Sequence, residues 1–433
     1  MYGLSFCESG EYKSAAEPYL RNEISPEFRQ ELETLLDQLY EQSVQQIAES
    51  RKLSREQVIH VLDRGVLTAR QALEHGWIDA VAYEDQLSDL ILQRRPEGAS
   101  VRLVRNYAKQ AVDTDFSGLN GFIKFMSLLF GNEPPSRPTH TPKIAVLHAI
   151  GPIMTESSSL DLFGEEAVSS ASLIKAIRKV RENDQVKAVV LRVDSPGGSA
   201  LASDLIWREL KTLGKPLIAS MGDTAASGGY YIAMAADRIL ADPGTLTGSI
   251  GVVGGKFALE GLYRKLGITH SIVQRGRNAG ILSLTTPFTP DERQSMQGLL
   301  DEIYRQFTQK AAESRKLELE RLLALAGGRI YTGEQARAVG LVDELGTLED
   351  ALAHARRAAG LAEDAPWERL DLPQPPSPLE SLFGPLDNDV RMQALLSGWM
   401  LPWRLWKPQD GLILQLLQRE PAALVLPYRL QIE

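Results

Sequence analysis

Two short segments carry residues whose types and spacing could do acyl chemistry. Asp194-Ser195-Pro196-Gly197-Gly198-Ser199 follows the apolar run 186–193, and Ala225-Ala226-Ser227-Gly228-Gly229-Tyr230 follows a strand candidate ending at Ser220. Glycine lets backbone approach a ligand closely and adopts φ > 0. A strand-to-helix turn leaves its first N–H groups without intrahelical partners. Two such groups, converging from two turns, would stabilise the oxyanion of an acyl-transfer intermediate. Ser227, flanked by small residues at the start of a helix, is a suitable nucleophile position. Taken singly, a Gly-Gly pair after a strand is usually only a tight turn. The signal is the occurrence of two, about 30 residues apart.

As a pair, these turns resemble the ClpP/crotonase fold, in which the first turn supplies one oxyanion N–H and the second carries the acyl-enzyme chemistry. A serine nucleophile needs a base. The chain has six histidines, His60, His75, His140, His148, His270 and His354. None stands at the spacing after Ser227 where ClpP-type proteases place theirs; Val252 occupies that neighbourhood. A Ser-His-Asp triad is disfavoured, although spacing alone leaves it open. The other candidate base is a lysine, held neutral by burial or by a neighbouring positive charge.

The elements that must position these groups read as α/β. Residues 143–150, 186–193, 216–220, 235–241 and 249–253 are apolar strand candidates. Residues 172–181 have helical spacing of Leu173, Ile174, Ile177 and Val180, and 291–314 form a long helix with Asp291 and Glu292 at its positive end. Strands alternating with helices imply a largely parallel sheet.

The chain also repeats itself. Ser25-Pro26-Glu27 is echoed by Thr289-Pro290-Asp291, and Glu49-Ser50-Arg51-Lys52-Leu53 recurs unchanged as Glu313-Ser314-Arg315-Lys316-Leu317. Thr68, Ala72, Gly76 and Asp79 match Thr332, Ala336, Gly340 and Asp343, always 264 positions apart. Roughly twenty identities over about 55 ungapped positions mark a duplicated domain, with a period far too long for a solenoid. The second copy is expected to start near Lys143, after the Pro-rich stretch 134–138. The first copy is then expected to begin about 120 residues before Met1. The chain accordingly divides into the back half of a first copy (1–95), a linker (96–142), a complete second copy (143–360) and a Pro/Trp-rich tail (361–433).

Within the first segment, Gly10-Glu11-Tyr12-Lys13-Ser14-Ala15-Ala16-Glu17-Pro18 completes a set of motifs with Ala226-Ser227-Gly228-Gly229-Tyr230 and Thr247-Gly248-Ser249-Ile250-Gly251. In this order they resemble the signal peptide peptidase A (protease IV) family, the Ser-Lys peptidases of family S49, and above all its long, duplicated bacterial form. The resemblance covers nearly all of residues 1–360 and is loose beyond. It implies a duplicated ClpP/crotonase-like fold with the front half of the first copy missing. It also implies Ser227 as nucleophile, Lys13 as general base, Ser249 as a hydrogen-bond partner that holds Lys13, and the N–H groups of Gly198 and Gly228 as the oxyanion hole. Aligned on glycine, with a shift of two residues, Lys13 falls opposite Ala279; Arg275 and Arg277 nearby cannot serve as bases near pH 7. The second copy therefore has the serine and no lysine, so a complete site must draw on both copies. By resemblance the substrates are short apolar peptides such as signal-peptide remnants, the protein is a homo-oligomer (a tetramer), and it works at the bacterial inner membrane on the periplasmic side. Two other readings compete: acyl-CoA chemistry on the same fold, which needs neither Ser227 nor Lys13, and a catalytically inactive oligomeric scaffold.

Bulk properties narrow the field less. The net charge of −9 argues against nucleic acid as a partner, which usually meets a basic face. One cysteine, Cys7, supports neither a disulfide framework nor a zinc site, and no cofactor or metal motif stands out. No run reaches the ~20 apolar residues of a membrane span. In the tail, Trp399, Trp403 and Trp406 beside Arg404 and Lys407 suit either packing against a neighbouring domain or subunit or contact with a membrane surface.

Overall fold

The computed structural model describes Ser14, Glu17 and Val101, and residues 21–93, 141–155, 168–362 and 365–373. Lys13, most of the stretch read as a linker and the tail beyond residue 373 lie outside the described residues. The chain forms two compact units. One comprises the described residues up to Ala82 together with Val253–Glu302; the other comprises Tyr83–Val252 and the described residues from Ile303 on.

The second unit is organised by one sheet. The strands are β1 (Lys143–Ile150), β4 (Val186–Ser195), β5 (Leu217–Ala226), β6 (Arg238–Ala241), β9 (Glu344–Leu345) and β10 (Glu368–Leu372), in the order β10-β1-β4-β5-β6-β9, every pair parallel. A sheet covered on both faces needs apolar residues on both sides of each strand, which is why these strands read as unbroken apolar runs. Along β1, Ile144 and Val146 face one core and Ala145, Leu147 and Ala149 the other. The helix α12 (Leu348–Ala358) covers the first face through Ala351 and Ala355. The opposite face is covered by α5 (Ser170–Glu182), α6 (Ala200–Lys211) and α7 (Gly228–Ala233), with Leu173, Ile177, Ile206 and Ile232 fully or nearly fully buried. Burying each such side chain contributes about 1.5–3 kcal/mol.

The α/β class and parallel sheet expected from the sequence are those observed. Four of the five strand candidates correspond to β1, β4, β5 and β6, and the long helix is α9 (Pro290–Arg315). The fifth is corrected: the strand β7 covers Leu246–Gly248, and residues 249–253 are not a strand. Extended geometry ends because Ser249 takes φ 49°, a left-handed conformation that cannot continue a ladder. β7 pairs in parallel with the far end of β5 and antiparallel with β8 (Ile330–Thr332). β10 is a strand the apolar-run reading passes over, because its alternation Glu368-Arg369-Leu370-Asp371-Leu372 marks an edge position, half exposed.

The repeat is reproduced in local structure. In the first unit, α1 (Pro26–Arg51) has 26 residues, and so does α9. Lys52 and Lys316 leave these helices at φ 55° and 53°, and Leu53 and Leu317 each donate a backbone bond of 3.0 Å, to Ala48 and Ala312. The helices α3 (Ala69–Glu74) and α11 (Gly333–Val339) open with the same capping box, Thr68/Gln71 and Thr332/Gln335. Arg51 reaches the Gly76 carbonyl and Asp79; Arg315 reaches the Gly340 carbonyl and Asp343. The second clasp is the more buried: the Arg315 side chain is 7% exposed against 27% for Arg51.

Burial alone would raise the Asp343 carboxyl; the Arg315 guanidinium, the Ile239 amide and Arg238 more than offset it and hold the group below its ordinary value. A depressed folded-state value stabilises the protein above the unfolded carboxyl range, and that stabilisation is lost as pH falls through the folded value. Asp343→Asn should therefore destabilise the chain at pH 7 by about 1–3 kcal/mol, and the gap from wild type should narrow at pH 3. Urea denaturation at both pH values measures it. The more exposed Asp79→Asn should cost about 1 kcal/mol or less.

Candidate active site

The site grows out of the ends of β4, β5 and β7. At Ser195 the chain leaves β4, and the buried Ser195 hydroxyl accepts the Gly197 N–H at 3.1 Å, closing a tight turn. Gly198 then pairs with Ile153 of the short strand β2 (Ile153–Met154): Ile153 N–H donates to the Gly197 carbonyl and Ser199 N–H to the Ile153 carbonyl, each at 2.8 Å. Gly198 sits at φ +152°, and a Cβ there would lie 2.1 Å from the Ile153 carbonyl oxygen, so no other residue fits. Ser199 caps α6 by accepting the Ala202 N–H.

Ser227 follows β5 directly and opens α7. Its backbone is at φ 53°, ψ −116°, a region that side chains rarely occupy, and its N–H donates to the Gly248 carbonyl at 2.9 Å. Strain of this kind costs about 1–3 kcal/mol and persists where surrounding structure over-determines it. Here the surroundings are the β5–β7 ladder, Ala226 opposite Gly248, with the Thr247 hydroxyl bonded to the Ala225 carbonyl at 2.7 Å. Below the turn, Tyr230 is fully buried and donates to the Leu341 carbonyl at 2.9 Å, and burial pushes its phenol up.

The two glycine turns meet. A Cβ on Gly228 would stand 2.5 Å from Ser203 Oγ and 3.2 Å from the Gly198 nitrogen. Gly198 and Gly228 are thus neighbours in space, and neither N–H has an acceptor among the described residues. Ser249 comes to the same place by a different route. Because Gly248 lies opposite Ala226, Ser249 follows β7 just as Ser227 follows β5. Both serines are half-buried, both have positive φ, and neither hydroxyl is hydrogen-bonded to a described residue. Ser249 N–H donates to the Arg329 carbonyl at 2.7 Å, and Gly328 N–H to the Ile250 carbonyl at 2.9 Å, which locks the turn 327–329 beside Ser249.

Ser227, Ser249, Gly198 and Gly228 are therefore brought together. Lys13 lies outside the described residues; of its motif, Ser14 and Glu17 are described and buried, with Glu17 accepting the Ser25 N–H at 3.0 Å. The described histidines are engaged elsewhere: His148 with Asp371, His354 with Glu344, His75 with Arg64 and His60, His270 against Tyr263. Among the described residues no cluster of His, Cys, Asp or Glu could hold a metal, and no helix is long and apolar enough to cross a membrane. The sequence reading did not single out Ile153 and Ser203. The glycine pairs signal a close approach but do not say what is approached.

The chain matches Peptidase family S49 over residues 3–94 and 209–362. It is 34% identical to "Serine protease SPPA, chloroplastic" of Arabidopsis thaliana over 96% of its own length and 60% of that protein. It is 32% identical to "Protease 4" of Salmonella typhi over 88% of its own length and 59% of that protein. A solved structure of a ClpP1 mutant from Listeria monocytogenes covers 48% of the chain at 14% identity, with a TM-score of 0.33. The chain spans about three fifths of the length of these two curated relatives.

The strain at residue 227 is separable from its chemistry. Ser227→Gly should be more stable than Ser227→Ala by about 1–2 kcal/mol, because only glycine occupies this backbone region without strain. Paired urea denaturation curves measure the difference; equal midpoints would mean the turn relaxes once the hydroxyl is gone.

Proposed function

The chain belongs to peptidase family S49, and on that footing we propose that it is a serine endopeptidase with Ser227 as nucleophile and Lys13 as general base. The observation that carries the reading is the strained Ser227 turn, with two acceptor-free N–H groups beside it. The Ser227 hydroxyl attacks the peptide carbonyl and passes its proton to neutral Lys13 Nζ as the Oγ–C bond forms. The carbonyl π electrons move to oxygen, where Gly198 and Gly228 N–H hold the charge; donors of this type contribute about 3–4 kcal/mol each. Collapse expels the amine, which takes the proton from Lys13. Water then releases the acyl group by the same sequence, with Lys13 again accepting and returning the proton. Ser249 orients the lysine.

The repeat supports Lys13. In the first unit the second-copy segment opposite the lysine motif docks on the turn 63–65: Arg277 N–H donates to Asp63 Oδ1 at 2.8 Å, and a Cβ on Gly65 would meet the Asn278 carbonyl oxygen at 2.6 Å. The counterpart of that turn, 264 residues on, is 327–329, which is bonded to Ser249 and Ile250. A lysine in the corresponding loop is the base that this correspondence supports.

Short apolar peptides such as signal-peptide remnants are the substrates of this reading. The working form is a homo-oligomer, a tetramer, on the periplasmic side of the bacterial inner membrane. Incubation with a peptidyl phosphonate and intact-mass analysis tests the dyad. One adduct is expected, lost in both Ser227→Ala and Lys13→Ala. An adduct that persists in Lys13→Ala would remove the lysine from the mechanism; no adduct on folded wild type would favour the scaffold reading.

A further inference from the structure

One group of ionisable side chains near the site has no part in the chemistry above. Asp204 lies on α6, in the first turns after the Gly198 loop, and Tyr231 lies on α7, one turn after Ser227. Tyr231 OH donates to Asp204 Oδ1 at 2.7 Å, and Tyr83 OH donates to Oδ2 at 2.9 Å. Lys310 of α9 donates to Asp204 Oδ1 and, at 2.8 Å, to Tyr83 OH, with its ammonium 4.3 Å from the centre of the Trp207 ring. Tyr231 is 5% exposed, and the Asp204 and Lys310 side chains are 20% and 16% exposed.

An ion pair this far from water adds little net stability compared with apolar side chains of the same volume. What such a network does fix is geometry, because its donors converge on one carboxylate. The two helices it joins are those whose N-termini carry the acceptor-free amides. At the top, Gly228 leaves no room for a side chain of its own: a Cβ would meet Ser203 Oγ at 2.5 Å and the Gly198 nitrogen at 3.2 Å. The Tyr231–Asp204 bond ties α7 to α6 one turn below that contact. Burial, and after it the Asp204 charge, pushes the Tyr231 phenol up, so it stays a donor throughout the working pH range.

We propose that Asp204, acting through Tyr231, is a positioning residue that sets the alignment of the Gly198 and Gly228 N–H groups. Lys310 holds Asp204 in place through their ion pair. The role rests on the peptidase reading of Ser227.

The test compares wild type, Tyr231→Phe and Asp204→Asn on a chromogenic peptide ester and with a peptide aldehyde, whose tetrahedral adduct places an oxyanion between the two amides. Tyr231→Phe should lower kcat and weaken aldehyde inhibition by about tenfold or more, since misplacement by a fraction of an ångström is costly to an oriented site. KM and Tm should stay close to wild type. A lowered Tm with unchanged kcat and aldehyde affinity would make the contact merely structural and overturn the proposal. Hydrogen exchange separates this from failure of the peptidase reading. If wild type gives no Ser227-dependent adduct, that reading falls. Faster exchange at residues 198–203 and 228–231 in Tyr231→Phe would still sustain the pinning of the two helices, and unchanged exchange would overturn it.

Discussion

Two backbone N–H groups can face one oxygen atom only if the chain segments bearing them approach more closely than side chains allow. At Gly228 the permitted gap is closed: any Cβ would collide with Ser203 Oγ and crowd the Gly198 nitrogen. The rest of the second unit can be read as the means of holding that approach. β4 and β5 are adjacent parallel strands, so their ends deliver both turns to one edge of the sheet. The short strand β2 holds the Gly198 loop by two backbone bonds, and β7 holds Ser227 by one. Twelve residues of α6 and the buried α7 then anchor each turn in the core under the sheet. A parallel sheet suits this task because all its strands end on the same side.

Duplication leaves the same local structure doing different work. The helices α1 and α9, their left-handed exits at Lys52 and Lys316, and the arginine clasps that follow are copies in geometry as well as in sequence. Their surroundings differ. Arg315 is buried against Gly340 and Asp343 in the unit that carries the serine, whereas Arg51 is in part open to water. The turn 63–65 receives the loop around Arg277, and the turn 327–329 braces Ser249.

Much of this was legible in the sequence because it depends on local chemistry. The apolar runs of β1 and β4 are continuous, since both faces are covered. Gly-Gly after a strand announced close approach, and the 264-residue repeat announced equal helices. What stayed hidden depends on partners distant in sequence. Ser249 looked like the start of a strand because Ile250, Val252 and Val253 are apolar, yet its φ of 49° is imposed by the bond to Arg329, 80 residues later. β10 was missed because an edge strand needs only one apolar face. Asp204 and Lys310 carry no motif of their own in the sequence; only the fold brings Tyr83 and Tyr231 onto Asp204.

The loop 275–279 shows how chemistry and packing can part after duplication. Opposite the lysine this loop has Ala279, so it cannot accept a proton, and an arginine at 275 or 277 stays charged. Its docking survives: Arg275 pairs with Asp37, the Arg277 amide with Asp63, and Asn278 is 4% exposed with its amide turned to the Arg64 carbonyl. Those contacts use backbone and charged termini that an alanine at position 279 does not disturb. A loop can lack a base and keep its docking, because the two demands fall on different residues. The reverse loss, docking without which the base has no fixed place, would leave neither. That asymmetry lets the docking of residues 275–279 persist in a loop without a base.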